Sequence, residues 1–407
     1  MLITTRERFS MAARPTWAEI HLDRLAHNFR AVRARVGEGV KICAVVKADA
    51  YGHGAAAVAR HLEAAGADWF GVATVEEAIA LRQAGIARPI LCFGVASGQE
   101  ALVLEHRVTP VIFEATQIER LDACARAHDV ILDVHLEVDT GMGRTGVSLR
   151  ELETVLRAFE RSPHVRLDGL MTHLAAADDP ARAEFTRAQI ARFRDAMRIV
   201  ETRGFRPTYR HLANSAGVRA YPEAWGNMVR PGGLLYGLWS SPRWSPLASG
   251  AELVLETPMG ERVLQPVLSL HTRIVLLKDV EAGTPLGYGS AFVTARRSRI
   301  ATLPIGYHDG YRRALSNRGR VLVRGRFAPV VGRVSMDWTL VDVTDIPEAR
   351  VGDEVVVIGQ ADGQRITAEE LAELCGTISY EITCGIGARV PRVLVAAAES
   401  DGEGALP

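Results

Sequence analysis

Chemistry that needs a primary amine has few candidates in this chain. Lysine stands at only three positions, Lys41, Lys47 and Lys278, against 45 arginines. Lys47 closes the apolar run KICAVVKAD at 41–49. An amine held in a desolvated site beside other cations has a lowered pKa, which is what a Schiff-base lysine requires. Four further apolar runs end in groups that do chemistry. ILDVHLEVD (131–139) ends at Asp139 and leads into the turn GMGRTG with Arg144. LDGLMTH ends at His173, YRHLAN carries His211 and Asn214 with Ser215 after it, and NMVRPGG carries Arg230, Gly232 and Gly233. A hydroxyl and two glycine amides can hold a phosphate, since glycine lets the backbone approach closely. One histidine or lysine at a strand end is ordinarily a solvated terminus; five such ends together weaken that reading.

The elements that must position these groups follow a regular pattern. Short β-branched runs at 41–49, 69–74, 89–94, 108–113, 131–139, 167–173, 209–214 and 227–233 alternate with amphipathic stretches such as AAAVARHLEAAGA. Strand followed by helix, repeated, predicts a parallel sheet, and eight such units close a (β/α)8 TIM barrel. An open doubly wound sheet is the competing architecture. In a barrel, function collects at the C-terminal strand ends, with phosphate often held after strands seven and eight. Residues 41, 43, 45 and 47 share one face, so an inward face puts Lys41 at the bottom and Lys47 at the mouth. Amine, cations and phosphate cup at one rim point to pyridoxal 5'-phosphate. A strand and helix, TWAEIHLDRLAHNFRAVRARVG, are expected to lead into the barrel. From about residue 257 strand signals dominate, with TAEELAELCG the only helical one. The expected domains are a barrel over 14–256 and a smaller, mostly β domain over 257–400.

Composition limits the alternatives. The 407 residues carry 48 basic and 48 acidic side chains, a net charge of zero, and 48% hydrophobic residues. That is soluble globular composition, without the basic excess of a nucleic-acid binder. Five scattered cysteines, with no CxxC pair, imply neither a disulfide framework nor a structural zinc site. No apolar run reaches the roughly 18–20 residues of a membrane span. The charged N-terminus lacks a signal-peptide apolar core, so the expectation is a cytoplasmic enzyme without a bound metal, with residues 1–13 a loose tail. Gly141, Gly143 and Gly146 match the dinucleotide pattern G-x-G-x-x-G, with Asp168 about 20 residues on. They lie in the fifth βα unit, however, and a closed barrel has no switch-point crevice.

These residues carry a resemblance to bacterial alanine racemase, a fold-type III pyridoxal-phosphate enzyme, over roughly residues 14–395. Its segments are AVVKADAYGHG, VDTGMGRTGV, GLMTHLAAAD, HLANSAG, VRPGGLLYGL, GYGSAF, LPIGYHDGY, VGRVSMD and GTISYE. The resemblance implies an isomerase that interconverts L-alanine and D-alanine through a cofactor aldimine, supplying D-alanine for peptidoglycan. It implies Lys47 as the cofactor lysine, with Tyr51, Ser215, Tyr380, Gly232 and Gly233 around the phosphate. Arg230 resembles the arginine on the pyridine nitrogen, with His211 behind it and Asn214 among the cofactor-binding residues. Tyr288 resembles a second base contributed by the other subunit of a homodimer, and His173 its hydrogen-bond partner. Met336 and Asp337 match residues near the substrate, also from that subunit. Arg144 matches the arginine that orients cofactor and substrate carboxylate. Ala176, Tyr380, Tyr288 and Tyr307 match an inner layer of the substrate entrance; Asp178, Ile378, Arg313 and Arg333 match a middle one. Crowded tyrosines favour alanine, with serine as a minor substrate.

The chain departs from the family pattern at two positions. Ser335 stands where cysteine is frequent. Glu137 stands where the family usually has a carbamylated lysine that holds the arginine matching Arg144, and a direct Glu137–Arg144 contact is one expectation. Three rivals remain: a single-domain pyridoxal-phosphate homeostasis protein, which would lack the second domain and Tyr288; a barrel-type decarboxylase, which would carry Cys-Asp-Gly rather than Ser335-Met336-Asp337; and a broader-specificity alanine/serine racemase.

Overall fold

The computed structural model describes residues 14–240 and 252–395. Two compact units emerge. One comprises Ala26–Leu235 with Val254–Leu264; the other takes, of the described residues, 14–25, 236–240, 252–253 and 265–395. The segment expected as a loose tail, 1–13, lies outside the described residues.

The first unit is built on eight parallel strands. After β1 (Thr16–His21), these are β2 (Lys41–Val45), β3 (Trp69–Val72), β4 (Ile90–Cys92), β5 (Val108–Ile112), β6 (Leu132–Glu137), β7 (Val165–Met171), β8 (Tyr209–His211) and β9 (Met228–Val229). They lie in the order β8-β7-β6-β5-β4-β3-β2-β9, so the last strand returns beside the first. Between β8 and β9, Asn227 N–H donates to Arg210 O at 3.0 Å and Arg230 N–H to Ala213 O at 2.9 Å. The result is a near-closed barrel, as the alternation of strand and helix predicts, not an open sheet. Its interior holds Cys43, Trp69, Leu91, Val111, Met171 and Met228, against which Phe93 and Tyr209 pack. Burying side chains of this size contributes about 1.5–3 kcal/mol each. Outside, the helix Ala183–Thr202 buries Thr186, Gln189, Ile190, Phe193, Ala196 and Val200, one face at helical spacing. The helix Val75–Gln83 starts at Thr74, whose side chain accepts from Glu77 N–H.

The second unit is β-rich. One sheet orders residues 326–329, 320–323, 354–361, 268–273, β1 and 392–395. β1 was expected to lead into the barrel. Instead it pairs antiparallel with Leu268–Arg273 and parallel with Arg392–Val395. The physical reason is burial on both faces: Thr16, Ala18, Glu19 and Ile20 are all buried, as suits an interior strand. Local pattern announces a strand but not which sheet receives it. The helix expected from TAEELAELCG forms at Ala368–Cys375, and a second short one, Ser379–Cys384, follows it. Among the described residues no helix is long and apolar enough to cross a membrane.

Candidate active site

Lys47 is half-buried two residues beyond the end of β2 and opens a tight turn. Ala48, Asp49, Ala50 and Tyr51 all have φ between 52° and 56°, a left-handed turn of four non-glycine residues. Each such residue costs roughly 1–2 kcal/mol, so the turn must be held from outside. Glu77 does part of this: Oε1 accepts from Ala48 N–H and Oε2 from Ala73 N–H, both at 2.7 Å. His53 Nδ1–H faces the carbonyls of Ala50 and Tyr51 at 2.9 and 3.0 Å, and Asp49 Oδ1 accepts from Ala55 N–H at 2.7 Å. At the far end of the turn the Tyr51 hydroxyl occupies the space a Cβ on Gly232 would need. Gly232 N–H and Leu234 N–H donate to Ser215 Oγ at 2.9 and 3.3 Å. Tyr51, Ser215 and Gly232 therefore converge on one point beside β9. Lys41 lies at the start of β2, exposed and paired with Asp68 at 2.9 Å.

Arg230, 3% exposed, follows β9 and is held by four contacts. Nη1 donates to His211 Nδ1 at 2.7 Å and His211 O at 2.9 Å; Nη2 donates to Thr172 O at 2.7 Å and Leu212 O at 3.3 Å. Burial pulls its pKa down to about 10, opposed by the nearby Glu137 carboxylate. Burial also pushes the Cys43 thiol up to about 12, so it stays neutral. Arginine has no acceptor, which fixes the protons behind it. His211 Nδ1 must accept from Arg230, so its proton is on Nε2. That N–H faces His135 Nδ1 at 2.8 Å, which must accept in turn. His135 then carries its proton on Nε2, a buried atom with no partner among the described residues. Burial and the Arg230 charge lower the His135 pKa to about 3 and hold His211 well below the ordinary value. His173, after β7, is likewise lowered to about 3, first by burial and then by Arg230, Arg144 and Lys47. Asn214 Nδ2 lies 3.5 Å from His173 Nε2, while its oxygen accepts from Gly217 N–H at 3.0 Å and caps the helix Ser215–Ala220.

The GMGRTG turn is organised by Asp139. Its carboxylate accepts from the N–H groups of Gly141, Met142 and Gly143 at 2.8–3.1 Å. The amides that a dinucleotide phosphate would use are thus taken by a side chain of the same turn. Gly146, at φ 104°, has no room for a Cβ, which would lie 2.6 Å from Asp139 N. Glu137 is buried, and its Oε2 accepts from Thr145 Oγ1 at 2.7 Å. Among the described residues no ion pair joins Glu137 to Arg144, which is exposed. The expected direct contact is therefore replaced by one to the neighbouring hydroxyl, which a short carboxylate stem can reach.

The β-rich unit presents its candidates on exposed turns. Tyr288, 72% exposed, opens the turn Tyr288–Ser290, and Met336 and Tyr307 are 51% and 41% exposed. A cavity of about 780 Å³ in this unit is lined by Lys278, Tyr288, Arg333, Ser335 and Trp338, among others. Asp337 accepts from Arg389 at 2.7 Å. Tyr380 is half-buried in the helix Ser379–Cys384.

Sequence reasoning missed the residues that hold these groups: Glu77, His53, Thr172 and His135. A signal for His135 existed, since it shares strand parity with Glu137 and so faces the same side of β6. Glu77 and Thr172 give no local sign, because one acts through a neighbouring strand's turn and the other through its carbonyl.

An amine, imidazoles, a buried arginine and a hydroxyl gathered at the strand ends of a near-closed barrel have the layout of a barrel-type enzyme site. The model of the alanine racemase N-terminal domain matches residues 20–240, and that of the C-terminal domain matches residues 267–394. The chain belongs to the alanine racemase family. It is 47% identical to the alanine racemase of Syntrophobacter fumaroxidans over 373 residues, 91% of this chain and 95% of that protein. The structure matches alanine racemase from a D-cycloserine-producing Streptomyces lavendulae with a TM-score of 0.87 at 36% identity, covering 95% and 99% of the two chains. It matches the Bartonella henselae alanine racemase, solved with covalently bound pyridoxal phosphate, with a TM-score of 0.81 at 29% identity, covering 94% and 99%.

Proposed function

We propose that this racemase interconverts L-alanine and D-alanine with pyridoxal phosphate carried on Lys47, supplies D-alanine for peptidoglycan, and acts as a cytoplasmic homodimer. The observation that carries the reading is the barrel rim, where the Lys47 turn ends against the Tyr51, Ser215 and Gly232 cup and buried Arg230 stands behind it. These residues fit the cofactor. A Cβ at Gly232 would fill the cup, and the Tyr51 and Ser215 hydroxyls that meet there are groups a phosphate can bond to. The Bartonella henselae relative carries pyridoxal phosphate covalently. The cofactor, when bound to an amino acid, draws electrons from Cα and acidifies its hydrogen.

The remaining chemistry belongs to the chain. Among the described residues the contacts of Arg230 use Nη1 and Nη2 and none uses Nε–H, which suits it to a pyridine nitrogen. Because arginine does not release its proton, Arg230 would leave a pyridine nitrogen beside it unprotonated and so moderate the electron withdrawal the cofactor would supply. Racemisation removes a proton from one face of Cα and delivers another to the opposite face. Lys47 Nζ serves one face. The Tyr288 hydroxyl, from the partner subunit, serves the other, which accounts for a catalytic-type tyrosine left exposed on its own unit. Arg144 and the partner's Met336 orient the substrate carboxylate, and the partner's Tyr307 narrows the entrance to a small side chain. The test is borohydride reduction of the holoenzyme followed by peptide mapping. Reduction fixes the cofactor on Lys47; label on Lys41 or Lys278 refutes the assignment.

A further inference from the structure

We propose that Asp309 is a positioning residue for substrate binding: its buried carboxylate, clamped by Arg14 and Arg389, fixes the exposed segments that carry Tyr307 and Met336. The inference rests on the reading above that these two side chains border the substrate's path.

Asp309 is wholly buried, yet both of its oxygens are used. Arg14 Nη1 bonds to Oδ1, and Arg14 Nη2 donates to Oδ2 at 2.7 Å. Arg389 Nε donates to Oδ1 at 2.6 Å and Nη2 to Oδ2 at 3.1 Å. The Gly306 amide donates to Oδ2 at 2.9 Å. Burial alone would favour the neutral acid, but Arg14, Arg389 and the Gly306 amide outweigh it and hold the carboxyl below its ordinary range. Arg389 extends the node, since Nη2 also donates to Asp337 Oδ1 at 2.7 Å and approaches Met336 O at 3.4 Å. Two arginines and two carboxylates balance, so removing one member leaves a charge without its partner.

The node ties together backbone segments that also bond to one another. Asp309 lies on no strand. Tyr307 N–H donates to Ser335 O at 2.9 Å, His308 N–H to Met336 O at 3.1 Å, and Gly387 N–H to Asp309 O at 3.1 Å. A Cβ at Gly306 would overlap the carbonyls of Ser335 and Met336, so the two segments touch backbone to backbone. Fixed main chain beneath two half-exposed side chains is an arrangement for aiming those side chains at a group outside the unit. Displacing such side chains loosens the substrate's fit without moving the reacting atoms, so the loss falls on KM rather than on kcat.

The test uses the holoenzyme and substitutions in the node. Asp309→Asn keeps the shape and removes the charge; Arg389→Lys keeps the charge but cannot span Asp309 and Asp337 together. KM and kcat for both enantiomers, the visible absorbance of the bound cofactor and Tm are measured. The expected result is a KM about tenfold higher, with kcat within threefold and absorbance unchanged. If Asp309→Asn does not fold, Arg389→Lys and Arg14→Gln carry the same test. A fall in Tm with KM unchanged marks a merely structural node and overturns the inference. Tyr307→Phe and Met336→Ala separate the two ideas. If they raise KM and the node variants do not, only this inference fails; if they leave KM unchanged, the entrance reading itself fails.

Discussion

His135→Leu tests the proton order behind Arg230. The parent chain contains one satisfied imidazole bond, His211 Nε2–H to His135 Nδ1, and one unsatisfied donor, His135 Nε2–H. Leucine removes the acceptor, which strands the His211 N–H at a cost of about 1–3 kcal/mol, and removes the stranded His135 N–H, which returns a similar amount. Net stability at pH 7 should change by less than about 1.5 kcal/mol. The pH dependence separates this from a generic core substitution. A folded pKa lowered to about 3, against about 6.5 unfolded, means that the unfolded chain binds the extra proton. Stability therefore falls as pH drops below about 6.5, by roughly 1.4 kcal/mol per unit for this histidine. Leucine abolishes that contribution, so between pH 7 and pH 5 the variant should gain about 2 kcal/mol on the parent. Activity should fall about tenfold, the worth of one hydrogen bond of about 1.4 kcal/mol in orienting His211 and Arg230. Urea denaturation at both pH values, with kcat/KM at pH 8, reads all three. A variant destabilised equally at pH 7 and pH 5, or one with parental kcat/KM, refutes the proton order.

Three further outcomes are expected. Tyr288→Phe should keep the cofactor absorbance and cut racemisation by roughly 10²–10⁴-fold, and mixing it with Lys47→Ala should restore activity after subunit exchange; no recovery in an exchanged mixture counts against shared sites. Activity should not respond to bicarbonate, because Glu137 supplies a permanent anion, and Thr145→Val should lower stability by about 1–3 kcal/mol by stranding that buried carboxylate; a bicarbonate requirement, or a neutral Thr145→Val, contradicts the account. Asp68, whose burial is outweighed by bonds from the Ile42 amide, Lys41 and Arg33, has a lowered pKa, so its contribution holds above about pH 4 and is lost below it. Asp68→Asn should flatten that acid limb in a denaturation series, and an unchanged limb would place the acid sensitivity elsewhere.

The parts that were legible in the sequence are those whose physics is local. All eight barrel strands were visible as β-branched runs between helical stretches, and their C-terminal ends supplied Lys47, Arg144, His173, His211 and Arg230. What stayed hidden depends on partners distant along the chain. β1 reads as a strand, but its membership of the β-rich sheet is set by Leu268–Arg273 and Arg392–Val395, hundreds of residues away. The left-handed turn after Lys47 contradicts the propensities of Ala48, Asp49, Ala50 and Tyr51. It persists because Glu77 and His53 bond its amides and carbonyls and Asp49 ties it to the Ala55 amide that follows. Glu137 shows the same limit from the other side: parity correctly turned it inward, yet its partner is the Thr145 hydroxyl eight residues on, not the arginine beside it. Local pattern thus delivers the groups that do chemistry, and long-range bonding decides where each can point. A site of this kind is sensitive also to substitution in carboxylates and imidazoles that touch nothing reactive, because they help to hold the strained turn after Lys47 and the buried charge at Arg230.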